Sequence, residues 1–84
     1  MAEKNNQIQV HIPPELEYCY RDIANIFVGN NEVVFEFGNH HRSTPEHATI
    51  SNRIVMSFAD AYELQQRLEA SLMEARRKME EAVI

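Results

Sequence analysis

Three of the four histidines in this chain fall within one short stretch, GNHHRSTPEH, which runs from Gly38 to His47. Imidazole nitrogens and carboxylate oxygens are ligands for Zn²⁺, so His40, His41 and His47 with Glu46 could form a metal site. Adjacent side chains of an extended segment point in opposite directions, which argues against His40 and His41 binding one ion. A pH-sensitive surface is a second interpretation, because the pKa of histidine is about 6.5. We favour a polar loop without metal or cofactor, and the sequence leaves open whether these histidines bind a metal.

The sequence offers few other candidates for a catalytic or phosphate-binding site. Cys19 is the only cysteine, and its neighbours Tyr18 and Tyr20 match no signature of cysteine enzymes. We therefore expect a buried or half-buried thiol at this position. The only glycines are Gly29 and Gly38, so the sequence has no glycine-rich loop to bind phosphate. These observations predict no catalytic residue and no enzyme.

The length and charge of the chain limit its partners. Its 84 residues allow a single domain, 1–84, with a small hydrophobic core. Thirteen acidic against eight basic residues give a net charge of −5, which opposes attraction to nucleic acid and to anionic membranes. One cysteine excludes an intramolecular disulfide, and the polar start MAEKNNQ lacks the apolar run of a signal peptide. We therefore expect a cytoplasmic protein.

The first predicted element is a strand near the N-terminus. It follows a polar tail, residues 1–6, which we expect to be disordered. Gln7–Ile12 alternates apolar and polar side chains, the pattern of a strand with one face buried. Pro13 and Pro14 cannot donate backbone hydrogen bonds, so they end this strand and a bend follows.

Three more strands complete the predicted sheet over residues 7–57. The runs Asp22–Val28 and Glu32–Phe37 are rich in β-branched and aromatic residues. Gly29, Asn30 and Asn31 between them tolerate the backbone angles of a tight turn, so the two runs predict an antiparallel hairpin. The last strand is predicted over Ala48–Ser57. Its inward side chains are expected to be Ile50, Ile54 and Met56.

Arg53 is a charged residue that this pattern places in the middle of a strand, beside the apolar Ile54. It could form an ion pair with Glu36 across the sheet, or it could contact a partner protein. We favour the ion pair and keep Arg53 as a candidate partner contact.

A long helix is predicted over residues 58–84, where the apolar period changes from two to about three and a half. Ser57 and Asp60 resemble a capping box at its start. Its apolar positions are Ala61, Leu64, Leu68, Leu72, Ala75, Met79 and Ala82. Charged pairs four residues apart, which stabilise a solvated helix, are Glu63 with Arg67, Glu74 with Lys78, Arg76 with Glu80, and Arg77 with Glu81.

The predicted helix is longer than the sheet that should support it. About 25 residues at 1.5 Å each reach nearly 40 Å, whereas a strand of about eight residues spans roughly 26 Å. The apolar stripe nevertheless continues to the end of the helix, and a second copy of the chain is the simplest cover. The expected interface consists of Leu64, Leu68, Leu72, Ala75, Met79, Ala82 and Val83. Fraying of the last turns is the alternative.

Several of these segments resemble a family of short prokaryotic domains of unknown function. The resemblance covers roughly residues 20–72, through Ala24-Asn25, Glu32–Phe37 and Arg53–Ser57, with Phe58 where the family more often has proline. It implies a small sheet followed by a long helix, and it supplies no catalytic residue. The order of elements is also similar to that of the bacterial export chaperone SecB, which implies that oligomeric sheets could hold extended peptides.

The sequence thus predicts an α+β protein, with a four-stranded, mainly antiparallel sheet and one long C-terminal helix, that forms oligomers. The hypothesis for its function is protein–protein interaction without catalysis, with another copy of the chain as partner and a dimer as the simplest assembly. Another protein or peptide is a further candidate partner. A peptide-holding chaperone and a nucleic-acid-binding regulator are the alternatives.

Overall fold

The computed structural model describes residues 7–82. Its elements follow the order β1 (Ile23–Val28), β2 (Glu32–His40), β3 (Ala48–Ser57) and α1 (Phe58–Ala82). The strands form one antiparallel sheet in the order β1-β2-β3. The α+β class and the long C-terminal helix are therefore confirmed, but the sheet has three strands rather than the predicted four.

The missing strand is the predicted Gln7–Ile12, which takes no regular secondary structure. A strand exists only when a neighbour pairs with its backbone. Alternating side chains show that a segment has an apolar and a polar face, but they do not show that another strand lies beside it. The predicted bend is present, with the Leu16 amide donating to the Pro13 carbonyl over 3.0 Å. The predicted disordered tail, residues 1–6, lies outside the described residues.

The predicted hairpin is confirmed. Val28 pairs with Val33 at its closed end, and the Gly29 amide donates to the Glu32 carbonyl over 2.8 Å. Asn31 has a φ of 64°, in the left-handed region that asparagine tolerates better than most residues. The turn chemistry read from the sequence therefore matches the observed backbone.

Residues that pair directly across an antiparallel sheet share a face, so the register divides the side chains into two sets. Face A carries Ala24, Ile26, Val28, Val33, Phe35, Phe37, Asn52, Ile54 and Met56. Face B carries Ile23, Asn25, Phe27, Val34, Glu36, Gly38, Arg53 and Val55. The central part of face A is apolar apart from Asn52, and Asn39 and Thr49 add polar side chains at its end, whereas face B has a polar row across its middle.

A β-bulge interrupts the pairing of β2 with β3 between Phe37 and Gly38. Phe37 pairs with Asn52 but Gly38 pairs with Ile50, so β3 contains one extra residue there. The prediction that Ile50 shares a face with Ile54 is therefore wrong, because the extra residue shifts Ile50 into register with face B. A Cβ at Gly38 would lie 2.0 Å from the Thr49 carbonyl oxygen, so the bulge requires glycine.

The helix begins where the sequence predicts. The Asp60 amide donates to the Ser57 hydroxyl oxygen over 3.0 Å, which is the hydroxyl half of the capping box. The Phe58 amide donates to the Asn31 carbonyl over 2.8 Å and ties the first turn to the hairpin. Of the predicted helix, Val83 and Ile84 lie outside the described residues.

The hydrophobic core is very small. Among residues 7–82, the buried apolar side chains are Val33 of β2 and Ala61 of α1. The chain exposes 7848 Å², about half again the roughly 5,200 Å² expected for a compact monomer of this mass. Its radius of gyration is 16.9 Å, against about 12 Å for a compact domain. No helix in the described part of the chain is long and apolar enough to cross a bilayer.

Candidate functional site

The apolar stripe of α1, called the seam below, is uncovered. The exposed fraction of its large side chains rises along the helix from 42% at Leu64 through 54% at Leu68 and 60% at Leu72 to 66% at Met79. Ala75 and Ala82 of the predicted interface are exposed as well, and Val83 lies outside the described residues. Since only Ala61 is buried, the helix leaves the sheet within its first turns.

Most charged side chains on the rest of the helix form ion pairs with one another. The pairs predicted from their spacing are present, as Arg67 with Glu63, Lys78 with Glu74, Arg76 with Glu80 and Arg77 with Glu81. Arg77 also contacts Glu74 over 2.8 Å. These pairs flank the seam but place no charge within it, so the seam has the composition of a helix–helix contact.

Face A of the sheet is also poorly covered. The Phe35 and Phe37 rings stack with centroids 6.3 Å apart, while Ile26 of β1 and Ile54 of β3 are exposed. Both aromatic rings remain partly accessible. An apolar sheet face without a covering layer is unusual, because a sheet normally buries one face against another element.

The seam and face A are neighbours. Met56, at the end of face A, and Leu64, at the start of the seam, line the same shallow hollow, together with Asp60, Glu63 and Arg67. The apolar surface therefore runs from the sheet onto the helix, with a charged rim at the junction. A large apolar area with a polar rim is typical of a protein–protein interface.

Arg53 lies on face B, where it forms the ion pair that the sequence favoured. Its Nε lies 2.8 Å from Glu36 Oε2, and Asn25 Nδ2 donates to Glu36 Oε1 over 3.3 Å. The hydrogen bond from Arg53, and then that from Asn25, lower the pKa of Glu36 below its usual value of 4.5. Three side chains thus link all three strands. The Arg53 side chain remains 76% exposed, so it is also accessible to a partner.

The histidine stretch is divided by its hydrogen bonds. His40 Nδ1 lies 3.2 Å from Asp22 Oδ1, on the β1 side of β2, whereas His41 Nε2 lies 2.8 Å from the Thr49 hydroxyl on the β3 side. The His41 and His47 rings stack with centroids 6.2 Å apart. Within residues 7–82, no group of three or more His, Cys, Asp or Glu side chains is placed to hold a metal ion. The loop is shorter than predicted, because residues 38–40 belong to β2 and residues 41–47 connect β2 to β3.

Two features of this end of the sheet escaped the sequence reasoning. Arg21 Nε donates to Asn52 Oδ1 over 2.7 Å, and its Nη1 lies 3.3 Å from Asn39 Oδ1, so one side chain joins the segment before β1 to both other strands. Cys19 is exposed, which overturns the expectation of a buried or half-buried thiol. It lies in an irregular segment, and nothing in the sequence pattern around it indicates its exposure.

Comparisons with known proteins identify the family but not a function. The chain belongs to the family described as "Protein of unknown function (DUF3467)", whose model matches residues 1–81. The resemblance to a family of unknown function is therefore confirmed. No curated protein and no solved structure matches the chain. The similarity to SecB remains an analogy of element order, and it assumed a fourth strand that the structure lacks.

Proposed function

We propose that this protein is a non-enzymatic assembly module that associates with copies of itself, most simply as a homodimer, through the seam and face A. The observation that carries the proposal is the seam, since an uncharged stripe of leucine and methionine becomes more exposed with distance from the sheet. Water is an unfavourable environment for such a stripe, and a second copy offers an identical one.

The exposed area is large enough for a stable dimer. The chain exposes 7848 Å², roughly 2,700 Å² more than a compact monomer of its mass. Obligate homodimers bury about 2,000–5,000 Å² in total over both subunits. If association buried half or more of this excess area on each copy, the interface would therefore fall in the size range of obligate homodimers.

Composition supports the rest of the proposal. The net charge of −5 opposes a role in nucleic-acid binding, and the charged helix side chains are paired with each other rather than arranged as a basic patch. The lone thiol of Cys19 is exposed, which suits a reducing compartment such as the cytoplasm.

Light scattering coupled to size-exclusion chromatography tests the proposal at micromolar protein concentration. We expect a mass of at least two chains for the wild type. Leu68→Glu places a carboxylate in the middle of the seam, and a buried unpaired charge costs several kcal/mol, so association should weaken by about a hundredfold or more. Far-ultraviolet circular dichroism should show that the dissociated chain keeps its helix.

Gln66→Glu is the matched control. It adds the same charge one half-turn away on the side of the helix opposite the seam, so the mass should not change. A wild-type monomer at this concentration would remove the basis of the proposal. An equal loss of association in Leu68→Glu and Gln66→Glu would show that net charge, rather than the seam, controls assembly.

A second candidate function is a module that holds extended peptides. The specific observation is that face A and the outer edges of β1 and β3 are accessible in the same sheet. An extended peptide could add to such an edge and place its apolar side chains beside face A. Suppression of aggregation of a model substrate at stoichiometric ratio tests this activity, and no suppression by the assembled protein would exclude it.

A further inference from the structure

The segment from Ile8 to Ile12 has the pattern of a strand but takes no regular secondary structure. Ile8, Val10 and Ile12 alternate with Gln9 and His11, and all three apolar side chains are at least 71% exposed. Pro13 and Pro14 lack backbone donors, so a strand formed here would end at Ile12. The segment could therefore serve as a short strand of defined length.

The sheet offers a matching edge. Among residues 7–82, β1 pairs only with β2, so within this part of the chain the other side of Ile23–Val28 is open. Its sequence, IANIFV, has no charge and no proline, although natural edge strands commonly carry such residues to prevent pairing. Its Ile26, Phe27 and Val28 side chains are all more than half exposed. β3 is the weaker acceptor, because Arg53 lies within it.

We propose that residues 8–12 of each copy add as a fourth strand to the β1 edge of a second copy. This inference rests on the proposed self-association and names a contact through which it occurs. Within one chain the segment and the edge are both exposed, so a partner that supplies one and receives the other buries both. In a twofold dimer this exchange takes place twice, which doubles the buried backbone and apolar area.

The alternation of apolar and polar side chains in residues 8–12 determines on which face of the sheet each of them would lie. If Ile8, Val10 and Ile12 lie on face A, they extend its apolar rows beside Ala24, Ile26 and Val28, while Gln9 and His11 lie beside Asn25 of the polar row on face B. The opposite placement would put the three apolar side chains on face B, where Asn25 lies between Ile23 and Phe27 of β1 and begins the polar row. Val10 of one copy is therefore expected opposite or adjacent to Ile26 of the other.

Disulfide cross-linking between two different chains tests this contact directly. Both chains carry Cys19→Ser to remove the native thiol, and one also carries Val10→Cys while the other carries Ile26→Cys. Cross-strand neighbours on one face have Cβ atoms about 4.5–5.5 Å apart, which permits a disulfide. After the chains are mixed and oxidised gently, we expect a mixed disulfide in most of the dimer.

Val55→Cys is the matched control partner. Val55 is on the other edge strand and is 56% exposed, close to the 61% of Ile26, so its accessibility is similar. We expect at least tenfold less mixed disulfide with V10C. Equal yields with the two partners would overturn the proposal. So would a predominant disulfide between two I26C chains, because it would show that β1 pairs with β1.

A pair of proline variants tests whether the segment acts as a strand. Amide groups alternate in direction along a strand, so of Gln9 and Val10 one donates to β1 and the other faces solvent. One of Gln9→Pro and Val10→Pro should therefore weaken association by about tenfold, which is one backbone hydrogen bond in each half of the dimer. Equal effects, or no effect of either, would overturn the proposal.

The outcomes separate this inference from the function on which it rests. A wild-type dimer that Leu68→Glu dissociates, but that gives no V10C–I26C disulfide, retains the seam and rejects strand exchange. A disulfide that forms within a chain carrying both cysteines, with none between separate chains, places residues 8–12 on their own sheet and also rejects it. A wild-type monomer rejects the proposed function itself.

Discussion

The sheet and the helix of this protein are held together by opposite kinds of contact. In the sheet, side-chain bonds join residues far apart in the chain, as in Arg21 with Asn52 and Arg53 with Glu36. In the helix, the described ion pairs all join residues three or four positions apart. The sheet depends on tertiary structure, whereas the helix obtains its hydrogen bonds and ion pairs from its own neighbours.

This difference explains where the protein has unsatisfied surface. Local ion pairs and backbone hydrogen bonds allow α1 to form without support, but they do not bury the seam. Cross-strand pairs fix the register of the sheet, but three strands without a covering layer leave face A accessible. Each element forms its own hydrogen bonds but leaves apolar surface exposed, and the association proposed above would bury part of that surface.

The largest expected effect is at the β-bulge of the sheet, the element whose contacts join residues far apart in the chain. Gly38→Ala would place a Cβ 2.0 Å from the Thr49 carbonyl oxygen and 2.9 Å from the Ile50 Cα, so the backbone of β3 must move. We expect a loss of about 3 kcal/mol or more in the free energy of unfolding. Urea denaturation at one fixed protein concentration measures it, because the proposed association would make stability depend on concentration.

Gly29→Ala provides the control for this substitution. The nearest atom to a Cβ at Gly29 is the Glu32 carbonyl oxygen at 3.9 Å, which is ordinary contact, and Gly29 has no positive φ. Its effect should stay within about 1 kcal/mol and could be stabilising, because alanine restricts the unfolded chain. If the two variants lost equal stability, the bulge would not be the cause.

An intermediate effect is expected at the junction of sheet and helix. Ser57→Ala removes the oxygen that accepts the Asp60 amide, which should cost about 1 kcal/mol in thermal or urea unfolding. Ser57→Asp restores an acceptor and should recover most of the loss. Ser71→Ala, at an exposed position within the helix, is the control and should not destabilise, since alanine favours helix. A loss in Ser57→Asp equal to that in Ser57→Ala would contradict a capping role.

The smallest effect is expected from the cross-strand carboxylate. The pKa of Glu36 is lowered in the folded protein by Arg53 and Asn25, so ionised Glu36 stabilises the fold above about pH 4.5. That contribution is lost as the pH falls below 4.5 through the folded pKa. Unfolding measured between pH 7 and pH 3 should show a steeper acid loss for wild type than for Glu36→Gln.

Glu80→Gln sharpens the comparison of sheet and helix. It removes a carboxylate that contacts Arg76 within the helix, where both side chains are more than two-thirds exposed. Exposed pairs contribute little to stability, so this variant should follow the wild-type pH dependence. Our assignment of the acid sensitivity to Glu36 would be wrong if stability fell less steeply with acid in Glu80→Gln than in wild type, while Glu36→Gln behaved like wild type.

Patterns within short windows predicted much of the fold. The hairpin with its turn at Gly29–Asn31, the last strand Ala48–Ser57 and the helix start after Ser57 all agree with the structure. The Arg53–Glu36 pair followed from the same reasoning. These features depend on residues that strongly prefer one local backbone conformation, such as asparagine in a tight turn or serine at a helix N-terminus.

The sequence by itself determined which segments are extended or helical and which of their side chains are apolar, because periodicity and turn chemistry act locally. Only the tertiary structure decided that Gln7–Ile12 takes no regular secondary structure, that the bulge shifts Ile50, and that Cys19 is exposed. Each of these depends on which backbone lies alongside another. That choice is made by contacts between distant residues, and no short window of the sequence contains both of them.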